Sequence, residues 1–280
     1  MPINFFKHLA GQNGDHILKI LPPAHLSEMV EGFYILKAGV AEERELFFND
    51  GYPVLALMQS RDSNIKISVE GKTENVGSMW VCGGVLRNVY CKSNFQFKDC
   101  LVIRFYAVTF FKLFDISEGL FQQKQVFNLS AIAAQGFESF KDMYYDSSSV
   151  KERIEVTISF LTEKMKAYSY PKLLTDIQTY MDRQGNLNVK DVLDGYTVRL
   201  NYKWLERNFK KHMGISPQSY LLTRRFLKAY IDLDVVNPKD LLQVAIDNGY
   251  YDDNHFIKDF RRFCGVPPKT YFKRPVKALD

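Results

Sequence analysis

Arg207 and Lys258 occupy equivalent positions in two segments offset by 51 residues, and each is followed by a cation pair, Lys210-Lys211 and Arg261-Arg262. Laying Asn201–Tyr220 over Asp252–Tyr271 extends the match: Asn201 falls on Asp252, Leu205 on Phe256, Phe209 on Phe260, Gly214 on Gly265 and Pro217 on Pro268. Asn and Asp are helix N-cap residues, whose side chains accept from the first unpaired backbone N–H groups. Apolar side chains four residues apart form one stripe, and the cations fall on the opposite face. Glycine then ends each helix in the left-handed conformation, with Ile215 or Val266 as the apolar contact after it. Each segment is therefore expected to be a capped helix with one apolar and one cationic face. Guanidinium and ammonium groups on such a face suit phosphate oxygens and the edges of bases.

Other elements must hold these helices in place. Before the second copy, Leu241, Leu242, Val244 and Ala245 predict a short helix that stops at the turn Asn248-Gly249. Helix, glycine turn, capped helix is a helix-turn-helix pattern, whose second helix enters a major groove with its N-terminal residues on base edges. The supporting helix of the first unit is expected over about Leu187–Leu193. A long helix from Gln218 to about Leu233 joins the units, and Leu173, Leu174, Ile177, Tyr180 and Met181 share one face of a helix ahead of them. A helical solenoid is the structural alternative, but two copies are fewer than a continuous solenoid core needs.

The residues Ala245, Gly249, Tyr250, Asp252, His255, Phe256, Phe260, Gly265, Val266, Pro268 and Tyr271, at this spacing, resemble the signature segment of the AraC/XylS family of transcriptional regulators. The resemblance covers about residues 175–274 and implies a DNA-binding domain of two helix-turn-helix units joined by a long helix. It implies base-edge roles for Lys203, Glu206 and Arg207 in the first recognition helix and for Asp253, Asn254, His255 and Lys258 in the second. The chemistry agrees, since Arg suits guanine, Asn suits adenine and an acid accepts from cytosine. Lys210, Lys211, Arg261 and Arg262 are candidates for phosphate contact or for plain solvation. Trp204 is expected to pack rather than stack on bases, and His255 has a half-buried packing role as its alternative. Asp253 and Asp259 would repel phosphates unless turned away, so Arg207 is expected to matter more than Lys258, which sits beside Asp259.

Residues 30–115 read mainly as strands. Gly32–Leu36, Val54–Met58, Ile65–Val69 and Leu101–Tyr106 are short β-branched or aromatic runs separated by turn signals at Asn49-Asp50-Gly51, Glu70-Gly71 and Gly83-Gly84. This spacing predicts a sandwich or barrel, with helix possible around Leu26–Val30. Pro23, Leu26, Val30, Gly32-Phe33-Tyr34, Asn49-Asp50-Gly51, Pro53, Leu55 and Ile103-Arg104-Phe105 resemble the β-rich N-terminal domain of some family members, which implies a cupin-like fold serving sensing or dimerisation. Helical patterning begins after Thr109, with a hinge and cap at Asp146–Ser149. Ile154, Ile158, Leu161 and Met165 then form a stripe that either packs on its own domain or pairs with a second copy. The fold class expected is thus two-domain α+β: a β-rich, cupin-like domain over residues 1–145, a linker helix over 146–170, and an all-α double helix-turn-helix domain over 171–280.

Charge follows this division. Residues 171–280 hold 19 Lys and Arg against 13 Asp and Glu, a net +6, whereas residues 1–170 carry a net −1. A basic region joined to a neutral one is the asymmetry of a nucleic-acid binder. Cys82, Cys91, Cys100 and Cys264 form no C-x-x-C pair, which predicts small buried side chains rather than a zinc or disulfide framework. His8, His16 and His25 are scattered, so no metal and no cofactor is expected. The chain contains no G-x-S-x-G, H-E-x-x-H or G-x-x-x-x-G-K segment, which argues against an enzyme. No run of 18 apolar residues occurs, and residues 1–9 do not read as a secretory leader, so a cytoplasmic protein without a membrane segment is expected. The expected partner is double-stranded DNA, with a small-molecule effector, a second copy of the chain and RNA polymerase as further candidates. The competing reading is a protein-interaction adaptor or anti-activator with degenerate DNA binding.

Overall fold

The computed structural model describes residues 3, 5–6, 17–41, 45–92, 95–116, 119–132, 136–165, 172–184, 187–197, 199–235 and 241–273. The expected boundary at 170/171, His8 and His16 lie outside them.

The first part is built on two antiparallel sheets. Strands β1 (Ile17–Ile20), β2 (Val30–Ala41), β4 (Val54–Met58), β7 (Met79–Cys82), β9 (Phe95–Phe105) and β10 (Val126–Asn128) form the larger one, in the order β1-β2-β9-β4-β7-β10. Strands β3 (Leu46–Phe47), β5 (Ile65–Val69), β6 (Lys72–Gly77) and β8 (Val89–Cys91) form the smaller, in the order β3-β8-β5-β6. The runs at 54–58 and 65–69 are strands as expected, while β1, β3, β6, β7, β8 and β10 are additional. Around Leu26 the chain makes one 3-10 turn and then enters β2. Glu70 and Gly71 both have positive φ, 51° and 85°, and turn β5 back onto β6.

Helices α1 (Ala107–Leu113), α2 (Leu120–Gln123), α3 (Phe137–Asp146) and α4 (Val150–Met165) follow. Ser149 caps α4 by accepting from Glu152 N at 3.2 Å. The stripe on α4 is covered by its own domain: Ile154 and Leu161 are buried against the outer face of the large sheet, and Phe160 stacks on Phe140 at 4.2 Å. This arrangement does not leave that stripe open to a second copy.

The second part is helical: α5 (Lys172–Gln184), α6 (Val189–Gly195), α7 (Tyr202–Met213), α8 (Pro217–Val235), α9 (Leu241–Asp247), α10 (Asp253–Cys264) and α11 (Pro268–Phe272). Helix α6 starts two residues later than expected because Asn188 and Asp191 close a capping box there. Among the described residues no helix is long and apolar enough to cross a membrane.

The two parts share apolar cores. Phe48 from the space between the sheets meets Phe226 of α8 at 5.5 Å and Phe263 of α10 at 5.6 Å. Ala107 and Val108 of α1 belong to the core of α5, α6 and α7. Asn49-Asp50-Gly51, read from sequence as a plain turn, is buried between them. Asp50 binds Arg104 of β9 at 2.9 Å and Arg224 of α8 at 2.7 Å, and Arg224 also reaches Asp182 of α5 at 3.2 Å. Tyr52 and Tyr220 donate their hydroxyls to Asp182, whose carboxyl burial holds above the usual range despite the Arg224 charge. Gly51, with φ 100°, leaves the space that the Tyr220 ring fills.

All four cysteines are buried, and none forms a disulfide. Burial pushes the thiol of Cys82 up to about 11 and that of Cys100 up to about 12, so both stay protonated and serve as packing.

Candidate nucleic-acid interface

Helix α7 begins where Asn201 accepts from the backbone N–H groups of Lys203 at 2.9 Å and Trp204 at 3.3 Å. Leu205, Phe209 and Met213 face the core, and Trp204 packs against its edge, as expected. Lys203, Arg207, Lys210 and Lys211 are exposed on the outer face. Glu206 is half-buried beside them and pairs with Lys210 at 2.9 Å. Gly214 ends the helix at φ 70° and donates to Lys210 O at 3.1 Å. A side chain at Gly214 would run into the ring of Phe111 on α1, so the same glycine that stops the helix also lets it seat on the first part.

Helix α10 repeats the design. Asp252 accepts from His255 N at 2.7 Å, and its charge complements the positive end of the helix. Phe256, Phe260 and Phe263 face inward, Gly265 stops the helix at φ 70°, and its N–H donates to Arg261 O at 2.8 Å. Asn254, His255, Lys258, Arg261 and Arg262 are exposed, and Asp253 is half-buried. The His255 ring meets Tyr250 edge-on at 5.2 Å yet stays open to solvent, which differs from the half-buried alternative. Lys258 and Arg262, four residues apart, share one face.

The acidic residues separate by side. Asp259 is buried and pairs with Arg225 of α8 at 3.4 Å. The Arg225 guanidinium also covers the Tyr250 ring at 4.3 Å and donates to Gly249 O at 3.4 Å, so it holds the turn and the following helix together. The concern that Asp259 would oppose phosphates beside Lys258 is corrected by this geometry. Its position was the available signal: 256, 259, 260 and 263 are the inward phase of the helix, and an acid in that phase needs a buried cation. Arg225 was missed because nothing local to α8 marks its partner 34 residues away.

Both outer faces thus carry cations on helices fixed by α8, whose 19 residues span about 28 Å at 1.5 Å per residue.

Residues 197–274 match the helix-turn-helix domain family. The chain is similar to the transposon Tn10 TetD protein of Escherichia coli, at 28% identity over 99 residues, covering 35% of this chain and 71% of that protein. It is also similar to the HTH-type transcriptional regulator GbdR of Pseudomonas aeruginosa, at 32% identity over 88 residues. That match covers 31% of this chain and 24% of GbdR, so the chain is matched to about a quarter of that relative's length. Among solved structures, ToxT from Vibrio cholerae aligns with 85% of this chain and 95% of its own, at 15% identity and a TM-score of 0.43.

Proposed function

We propose that this protein, whose residues 197–274 match the helix-turn-helix domain family, is a DNA-binding transcription regulator of AraC type whose helices α7 and α10 read two successive major grooves. The observation that carries the proposal is the duplicated capped helix with an exposed cationic face, Asn201 to Gly214 and Asp252 to Gly265, held at the two sides of one long helix. Successive major grooves on one face of B-DNA lie about 34 Å apart, a distance on the scale of α8.

In this reading Lys203, Glu206 and Arg207 face bases in one half of the site, and Asp253, Asn254, His255 and Lys258 face bases in the other. Lys210, Lys211, Arg261 and Arg262 hold phosphates. The division at residues 145/146 and 170/171 then separates a β-rich part that modulates binding, through a small molecule or a second copy, from the part that reads DNA. The inward turn of Asp259 removes one motive for the adaptor reading.

The test is titration of the full chain against a random-core duplex library in rising salt. A phosphate-binding regulator loses affinity steeply, with log K falling by about 0.9 per phosphate contact per unit of log salt. Enrichment of one sequence of about two helical turns supports the reading, and absence of any salt-dependent duplex binding overturns it.

A further inference from the structure

The loop before β8, together with the strand itself, is tied to the end of α10 by three contacts. Asn88 N donates to Phe263 O at 2.7 Å, the Tyr90 hydroxyl donates to Cys264 O, and the Asn88 side chain lies where any side chain at Gly265 would have to go. Phe263 and Cys264 are in the last turn of the helix, where carbonyls have no partner within the helix. The β-rich part therefore caps this recognition helix.

The residue just before Asn88 in this loop is Arg87. Its backbone is fixed on both sides by Gln125, which accepts from Arg87 N at 2.6 Å and donates to Arg87 O at 3.1 Å. Its side chain is half-buried, and its Nε is buried with no hydrogen-bond partner among the described residues. Burial first, and then the neighbouring charge of Arg262, push the Arg87 guanidinium below its usual range, with the Glu70 carboxylate opposing. Arg87 and Arg262 each adjoin a partner of the Asn88–Phe263 hydrogen bond, so two cationic residues from different parts of the chain flank one contact, and their like charges favour an anion there. A planar guanidinium pair is suited to the oxygens of a phosphate.

The place of Arg262 on the helix indicates which phosphate. It lies one turn beyond Lys258 on the same face. A recognition helix puts its N-terminal residues on base edges, and its C-terminal end contacts the backbone at the groove wall.

We propose that Arg87 of the β-rich part and Arg262 of α10 jointly hold one backbone phosphate of bound duplex DNA, so that the β-rich part belongs to the DNA interface and stays docked on α10 in the complex. The inference rests on the DNA-binding reading above.

The experiment uses the full chain and a duplex recovered by wild-type selection from a random-core library. Salt titrations compare wild type, Arg87→Gln, Arg262→Gln, the double variant and Arg87→Lys. Each Gln variant is expected to lower the salt slope by about 0.9, the double variant by no more than either alone, and Arg87→Lys to keep the wild-type slope. Thermal melting of Arg87→Gln should be no lower than wild type, since a half-buried charge with a like-charged neighbour is removed. A wild-type slope in Arg87→Gln overturns the proposal, as does weaker binding at unchanged slope with a lowered melting temperature, which marks a structural role. Additive slope losses in the double variant overturn the shared phosphate. Failure of wild type to bind any duplex defeats the DNA reading itself and is seen before the variants are compared.

Discussion

The two helix-turn-helix units use the same cap, the same inward stripe and the same stopping glycine, yet they differ in where they put their acid and in what they lean on. Glu206 of α7 stays at the rim of the outer face and pairs with Lys210, whereas Asp259 of α10 turns inward and pairs with Arg225. The first unit seats Gly214 on Phe111 of α1, while the second seats Phe263 on Phe48 and its final carbonyls on the Asn88 loop. A repeat therefore preserves what builds a helix. The face on which a charge acts is decided by its phase, and by a partner far away in sequence.

The comparison can be broken most strongly at the support common to both units. Asp50 pairs at once with Arg104 of the β-rich part and Arg224 of α8. Asp50→Ala leaves a buried guanidinium without its main counter-charge and is expected to cost about 3–5 kcal/mol in denaturant unfolding. A loss under about 1 kcal/mol would mean that the two parts are not joined through this network.

The inward acid distinguishes the units next. Arg225→Met strands Asp259 and should cost about 2–3 kcal/mol, the penalty for an unpaired buried polar or charged group. At the equivalent position of the first unit, Asn208 donates to Trp204 O, four residues back in its own helix, at 2.8 Å. Asn208→Ala should be within about 0.5 kcal/mol of wild type. Equal effects of the two substitutions in urea melts would erase the distinction.

Where the units agree, the variants should agree too. Asn201→Ala and Asp252→Ala each remove one cap and should each cost about 1 kcal/mol, measurable by the same melts. The smallest effect belongs to Glu206→Gln, which breaks a solvent-accessible pair four residues apart at the rim of the helix and should change stability by less than about 0.5 kcal/mol.

The helical repeat was legible because its determinants are local: cap, stripe and glycine all lie within one helix. Strands 54–58 and 65–69 were legible for the same reason, as short β-branched runs between turn signals. The very short strands, such as Leu46–Phe47 and Val126–Asn128, carry too few residues for a pattern and are strands only through their neighbours. Asn49-Asp50-Gly51 has the composition of a solvent-facing turn, and what buries it is Arg224, 174 residues later. The cation set of the candidate interface was visible from type and spacing. Arg87 was not, because it joins α10 only through the docking of one part on the other.

Arg207 and Lys258 are equivalent in the repeat, and with Asp259 turned inward the earlier reason to expect a weaker role for Lys258 disappears. Binding-site selection with wild type, Arg207→Ala and Lys258→Ala tests the central claim, that each helix reads its own groove. The account predicts that each variant loses about 1–3 kcal/mol of affinity and relaxes sequence preference in one half of the site, a different half for each. If neither substitution changes affinity or the selected sequence, helices α7 and α10 do not read DNA and the account is contradicted.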